Sequence, residues 1–145
     1  MSEQRTLALI DDLLQRPAET SWVEFKENNA DAQMIGKLIS ALSNAARLAD
    51  QPFAYVLWGV RDGDHAAVST TFEPSSQLQQ GQPLDMWLAQ RLQPAIAFNL
   101  ARAMSRSGHR RRRGLESFDQ VLISLAGNQA PSGLIDKISM HCNKL

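Results

Sequence analysis

Eight consecutive residues, Phe53 to Val60, read Phe-Ala-Tyr-Val-Leu-Trp-Gly-Val without a charged side chain. Gln51-Pro52 precedes the run, and the turn signal Arg61-Asp62-Gly63-Asp64 follows it. A nearly continuous apolar run between such boundaries has the composition of a central strand covered on both faces. The Asp-Gly pair favours a hairpin with positive φ, so Ala66 to Thr71 is expected to return as the partner strand.

Upstream, Glu19-Thr20-Ser21-Trp22-Val23-Glu24-Phe25-Lys26-Glu27 reads as a short loop feeding a half-buried strand over 22–26. Val23 and Phe25 alternate with Glu24 and Lys26, the period-two pattern of a strand with one wet face. Glu24 and Lys26 therefore share the face away from Phe25. Charges on an edge strand are an ordinary device for solubility. The same residues, with Glu19 just upstream, also suit a phosphodiesterase site. There the carboxylates would hold a hard cation and the lysine would face a phosphate or the attacking water.

Helical periods fill the gaps. Residues 3–15 place Leu7, Ile10 and Leu14 on one side, with Ser2 as N-cap and Pro17 closing the helix. Residues 32–49 carry the clearest stripe, Ile35, Leu38, Ile39, Leu42, Ala45, Ala46 and Ala49, behind helix-start chemistry at Asn28, Asn29 and Asp31. Pro74 to Pro83 is a polar loop. Leu84 to Leu92 is a short helix stopped by Pro94, and strands are expected over 95–100 and 121–125. The order helix, strand, helix, hairpin, helix, strand predicts one α+β domain with a mixed or mostly antiparallel sheet flanked by helices.

A chain of 145 residues, 43% apolar and 21% charged, can bury a core without disulfides or a metal. No apolar run is long enough to span a bilayer, so no membrane association is expected. Cys142 is the single cysteine, which excludes an internal disulfide and makes a cytoplasmic setting the default. It also leaves a zinc site unsupported, and His65, His109 and His141 have no ligand spacing between them.

The formal net charge is zero, but residues 1–100 carry a balance of −5 and residues 101–145 a balance of +5. The basic excess centres on Arg102, Arg106 and the run Arg110-Arg111-Arg112-Arg113. Such a segment is either a solvated polar loop or an electrostatic arm for a phosphate backbone. It has no aromatic residue for stacking, so contact through it would be independent of sequence.

Three motifs in order give these features a family. Glu19 with Glu24-Phe25-Lys26-Glu27, then Ile39-Ser40-Ala41-Leu42-Ser43-Asn44-Ala45, then Leu57-Trp58-Gly59-Val60-Arg61-Asp62-Gly63, resemble the Schlafen AlbA-type domain. The likeness covers roughly residues 13–100 and fades after about 104. That divides the chain into an AlbA-like domain over 1–104 and a basic loop with a divergent or truncated continuation of the same domain over 105–145. The resemblance implies a small nucleic-acid-binding α/β fold. Catalytically active Schlafens use three acidic residues and a divalent metal to cleave structured RNA such as tRNA. Carried over one by one, those positions fall on Glu19, Glu24 and Asp62, which would hold Mg²⁺ or Mn²⁺ while Lys26 contacts phosphate. Many bacterial relatives are instead described as DNA-binding or regulatory modules, often joined to an ATPase-like region. A homo-oligomer, with Phe53–Val60 near a partner surface, is a further reading.

Overall fold

The structure, a computed structural model, describes residues 3–16, 20–93, 95–106, 117–127 and 139–140. Among the described residues there are three helices: α1 (Glu3–Leu14), α2 (Ala32–Leu48) and α3 (Leu84–Arg91). The strands are β1 (Val23–Lys26), β2 (Phe53–Trp58), β3 (Leu78–Gln79), β4 (Gln82–Pro83), β5 (Leu92–Gln93), β6 (Phe98–Arg106), β7 (Ser117–Ala126) and β8 (Ser139–Met140). The main sheet has the order β1-β2-β7-β6. β1 runs parallel to β2, and both other pairings are antiparallel, so the sheet is mixed. Two short antiparallel pairs, β3–β4 and β5–β8, stand apart from it. The chain is a small α+β domain.

The apolar run becomes an interior strand. β2 sits between β1 and β7, with Ala54, Val56, Leu57 and Trp58 fully buried. Alternation then sorts its residues to two layers. Val56 and Trp58 pack with Ile35, Ile39 and Ala46 of α2 and with Val121 and Ile123 of β7. Leu57 faces the other way, with Ile10 and Leu13 of α1, Val23 and Phe25 of β1, and Leu122. The two helices thus cover opposite faces of one sheet. With both its edges paired, β2 has no free edge to offer another chain.

The helix over 32–49 starts where its capping chemistry places it. Asp31 is in extended conformation and its Oδ2 accepts from the Met34 amide at 3.0 Å, satisfying one of the free donors of the first turn. The residue that ties α2 to the sheet is Ser43, whose hydroxyl donates to the Ala126 carbonyl at 2.8 Å.

The expected hairpin is corrected. Ala66 to Thr71 does not form a strand; it makes one bridge, Val60 to Ala67. The antiparallel partner of β2 is β7, more than 60 residues on, in register from Phe53↔Ala126 to Trp58↔Val121. Segment 66–72 instead lies across the end of the sheet. Its Val68 amide donates to the Gly59 carbonyl at 2.8 Å and its Thr70 amide to the Asp119 carbonyl at 2.9 Å. The physical reason is competition. Val121, Leu122, Ile123 and Leu125 are almost wholly buried in their pairing, whereas Ala66 to Ser69 carry little apolar surface to bury. Two smaller differences follow. The polar segment 74–83 contains the tight β3–β4 hairpin, with Gln80 and Gly81 both at positive φ. The strand expected over 95–100 begins at Phe98 and runs to Arg106.

Candidate functional site

Parallel pairing puts the C-terminal ends of β1 and β2 at the same end of the sheet, in register Lys26↔Trp58. The crossing is tight. The Lys26 carbonyl accepts from both the Gly59 amide at 2.9 Å and the Val60 amide at 3.1 Å. Gly59 has φ +92°, and a Cβ there would lie 2.7 Å from the Val68 carbonyl oxygen and 2.9 Å from Gln120 Cγ. Only glycine fits, for backbone conformation and space together. That explains the glycine in the motif Leu57-Trp58-Gly59-Val60-Arg61-Asp62-Gly63. It lets the chain leave β2, brush past the end of β1 and enter the turn that carries Asp62.

Glu24 and Lys26 stand on the face predicted by alternation, opposite Phe25, and they bind each other. Lys26 Nζ is 3.1 Å from Glu24 Oε1, with side-chain exposures of 28% and 29%. Glu24 and Lys26 flank Phe25, which is buried on the α1 side against the His65 ring at 4.9 Å between centroids. Asp62 is exposed on the turn, and its neighbours hold that turn's shape. The Arg61 amide donates to the Ala66 carbonyl, the Ala66 amide donates to Asp64 Oδ1, and the Arg61 guanidinium pairs with Asp64 at 3.5 Å. The turn role expected of Asp62 thus falls largely to Asp64, and Asp62 itself is exposed.

Glu19 lies outside the described residues, as do Arg110, Arg111, Arg112 and Arg113. Arg106 belongs to β6, with its side chain outside the described set. Arg102 is described and is engaged: its guanidinium bonds Glu73 and pairs with Asp119 at 3.5 Å. The Arg102 contact holds the Glu73 carboxyl below its ordinary value, and Glu73 raises Arg102 in turn.

For a divalent cation the donor chemistry fits in kind. Glu24 on β1 and Asp62 on the turn beyond β2 carry hard carboxylate oxygens, the kind of ligand Mg²⁺ and Mn²⁺ prefer. Among the described residues no three His, Cys, Asp or Glu side chains are grouped to hold a metal.

Sequence reasoning passed over Asn28. Its side-chain oxygen accepts from the Thr70 hydroxyl at 3.0 Å, the Thr71 amide at 2.9 Å and the Thr71 hydroxyl at 3.3 Å. With the Trp58 indole N–H donating to the Asn29 carbonyl at 2.8 Å, it fastens the loop after β1 to segment 66–72. The only signal in the sequence is an asparagine following a strand, which also fits helix-start chemistry.

No helix among the described residues is long and apolar enough to cross a membrane. Comparison with known proteins then supplies the family. No curated protein matches the chain in sequence. Among solved structures, the DIP2311 protein from Corynebacterium diphtheriae is similar at 14% identity and a TM-score of 0.49. The likeness covers 88% of this chain and 23% of that one, so the present chain spans about a quarter of its length. The Schlafen, AlbA_2 family model matches residues 19–131, beyond the reach of the three motifs and through all of β7. By that match, which takes in Glu19, Glu24, Lys26 and Asp62, the chain belongs to the Schlafen AlbA_2 family.

Proposed function

We propose that this domain binds nucleic acid and is a divalent-metal-dependent endoribonuclease acting on structured RNA such as tRNA. Family membership points to a nucleic-acid-related function. The observation that carries the finer reading is the shared Lys26 carbonyl, which ties the end of the strand bearing Glu24 to the start of the turn bearing Asp62. In this reading Glu19, Glu24 and Asp62 hold Mg²⁺ or Mn²⁺, and Lys26 orients the scissile phosphate. The ion, when bound, supplies Lewis acidity at the phosphoryl oxygens. Lys26 brings a positive charge to the same sheet end, and Arg110 to Arg113 add a sequence-independent attraction for the backbone.

Incubation with tRNA and Mn²⁺, beside a Glu24→Ala variant, tests the catalytic step. Cleavage by the wild type alone supports it. Equal cleavage by both proteins, or none by either, removes it.

One observation favours a second reading, a non-catalytic DNA-binding or regulatory module that is part of a longer regulator. Glu24 already has a cationic partner in Lys26, so its charge is balanced without a metal. Such a module binds duplex DNA in a salt-sensitive way, with affinity indifferent to chelator and to Glu24→Ala.

A further inference from the structure

Two residues before Glu24, on the approach to β1, an arginine lies over an indole. The Arg16 guanidinium sits 4.9 Å from the centre of the Trp22 ring, and Trp22 meets Tyr55 edge-on at 6.3 Å and 60°. All three side chains are half-buried, so the group is partly open to solvent. Asp12, one helical turn back, holds the guanidinium from the side at 3.4 Å. Two polar atoms here, Arg16 Nε and Thr20 Oγ1, are buried and have no hydrogen-bond partner among the described residues. Buried polar atoms are nearly always satisfied, so the unmet Nε of an arginine set over a ring calls for an explanation.

Structural packing alone would account for Trp22, since its ring also touches both core layers. It does not account for a guanidinium placed over a half-buried indole on a side chain that is itself 37% exposed. Arg91 on Trp87 is an informative contrast. There the guanidinium is bonded to the Gln80 side chain and to the Trp87 carbonyl, and the indole is buried. Arg16 has one carboxylate contact, at 3.4 Å, and an unmet Nε.

We infer that Arg16, Trp22 and Tyr55 form a stacking subsite for an unpaired nucleobase, with the guanidinium on the indole as the platform. Guanidinium planes and aromatic rings are the usual surfaces on which splayed-out bases stack, and they accept any base because each has a π-face. The charge of Arg16 also attracts the adjoining phosphate. The domain would thus select a single-stranded or bulged segment over a continuous duplex. The inference rests on the proposed binding of nucleic acid but not on cleavage or metal.

The test measures affinity at low salt for a short single-stranded oligonucleotide and for an abasic chain of equal length. It uses wild type, Arg16→Lys (charge kept, plane lost) and Trp22→Leu. Trp58 and Trp87 are buried, so indole quenching on binding reports on Trp22. The wild type is expected to prefer the base-bearing chain by about tenfold and to be quenched by it alone. Arg16→Lys should erase the preference and leave abasic binding within about twofold. Equal affinity for both chains in the wild type, with no selective quenching, overturns the subsite and leaves nucleic-acid binding intact. Binding of neither chain overturns both readings. Because Trp22→Leu loses packing as well, Arg16→Lys decides the matter: an unchanged preference in that variant overturns the platform.

Discussion

Lys26 and Glu24 form an ion pair at 3.1 Å on the outer strand of the sheet, each a little over a quarter exposed. A pair of this kind contributes at most about 1 kcal/mol to stability, since solvent screens it and ordering two long side chains costs entropy. Lys26→Met is therefore expected to change unfolding free energy by less than about 1 kcal/mol. Its larger effect is on ligand binding. Loss of one phosphate contact should lower the slope of log affinity against log salt by about 0.7–0.9. A salt series on the two proteins checks this, and an unchanged slope would place Lys26 away from the phosphate path.

Gly59 is the position least tolerant of a side chain. Its φ of +92° and the 2.7 Å approach of the Val68 carbonyl leave no room for a methyl group. Gly59→Ala should destabilise the domain by about 3 kcal/mol through backbone strain and overpacking together. Urea denaturation measures it. A loss under about 1 kcal/mol would mean that the chain passes the end of β1 less closely than described.

Asn28 fastens segment 66–72 with three accepted hydrogen bonds. Asn28→Ala should cost about 1–2 kcal/mol and speed hydrogen exchange at the Thr71 amide, whose partner it removes. Exchange at Val68, which bonds Gly59 instead, should change less.

Glu73 supplies the pH dependence. Arg102 lowers its folded-state pKa from the ordinary 4.5. A carboxylate with a depressed pKa adds stability that is present above the ordinary value and is lost as pH falls through the lowered one. The pair is exposed, so the contribution shrinks with salt. Titration of Glu73 followed by NMR should give a midpoint below 4.5 in the wild type. Arg102→Gln should move it back up, and the same midpoint in both proteins would contradict the contact.

Local pattern carried much of this architecture. The alternation from Val23 to Lys26 placed Glu24 and Lys26 on one face, where they meet. The stripe from Ile35 to Ala46 located α2 and its buried side, and the run from Phe53 identified an interior strand. What the sequence concealed was non-local. Asp62-Gly63 does mark a turn, but turn chemistry says nothing about how far the strands beyond it pair. The neighbour of β2 was decided by the apolar surface of residues 121–125 far along the chain. The site was legible to a similar depth. Glu24 and Lys26 could be paired from spacing alone, whereas Asn28 bonding Thr70 and Thr71, or Arg16 covering Trp22, depends on contacts that no spacing encodes.

The claim that Glu24 and Asp62 serve one metal is tested most directly by calorimetric titration of the protein with Mn²⁺. Wild type, Glu24→Gln and Asp62→Asn would be compared at one pH and ionic strength. Two carboxylates sharing one ion predict saturable binding in the wild type and a loss of at least about tenfold in each variant, since each removes a charged ligand. Wild-type binding that neither variant weakens, or no binding at millimolar Mn²⁺, would contradict it.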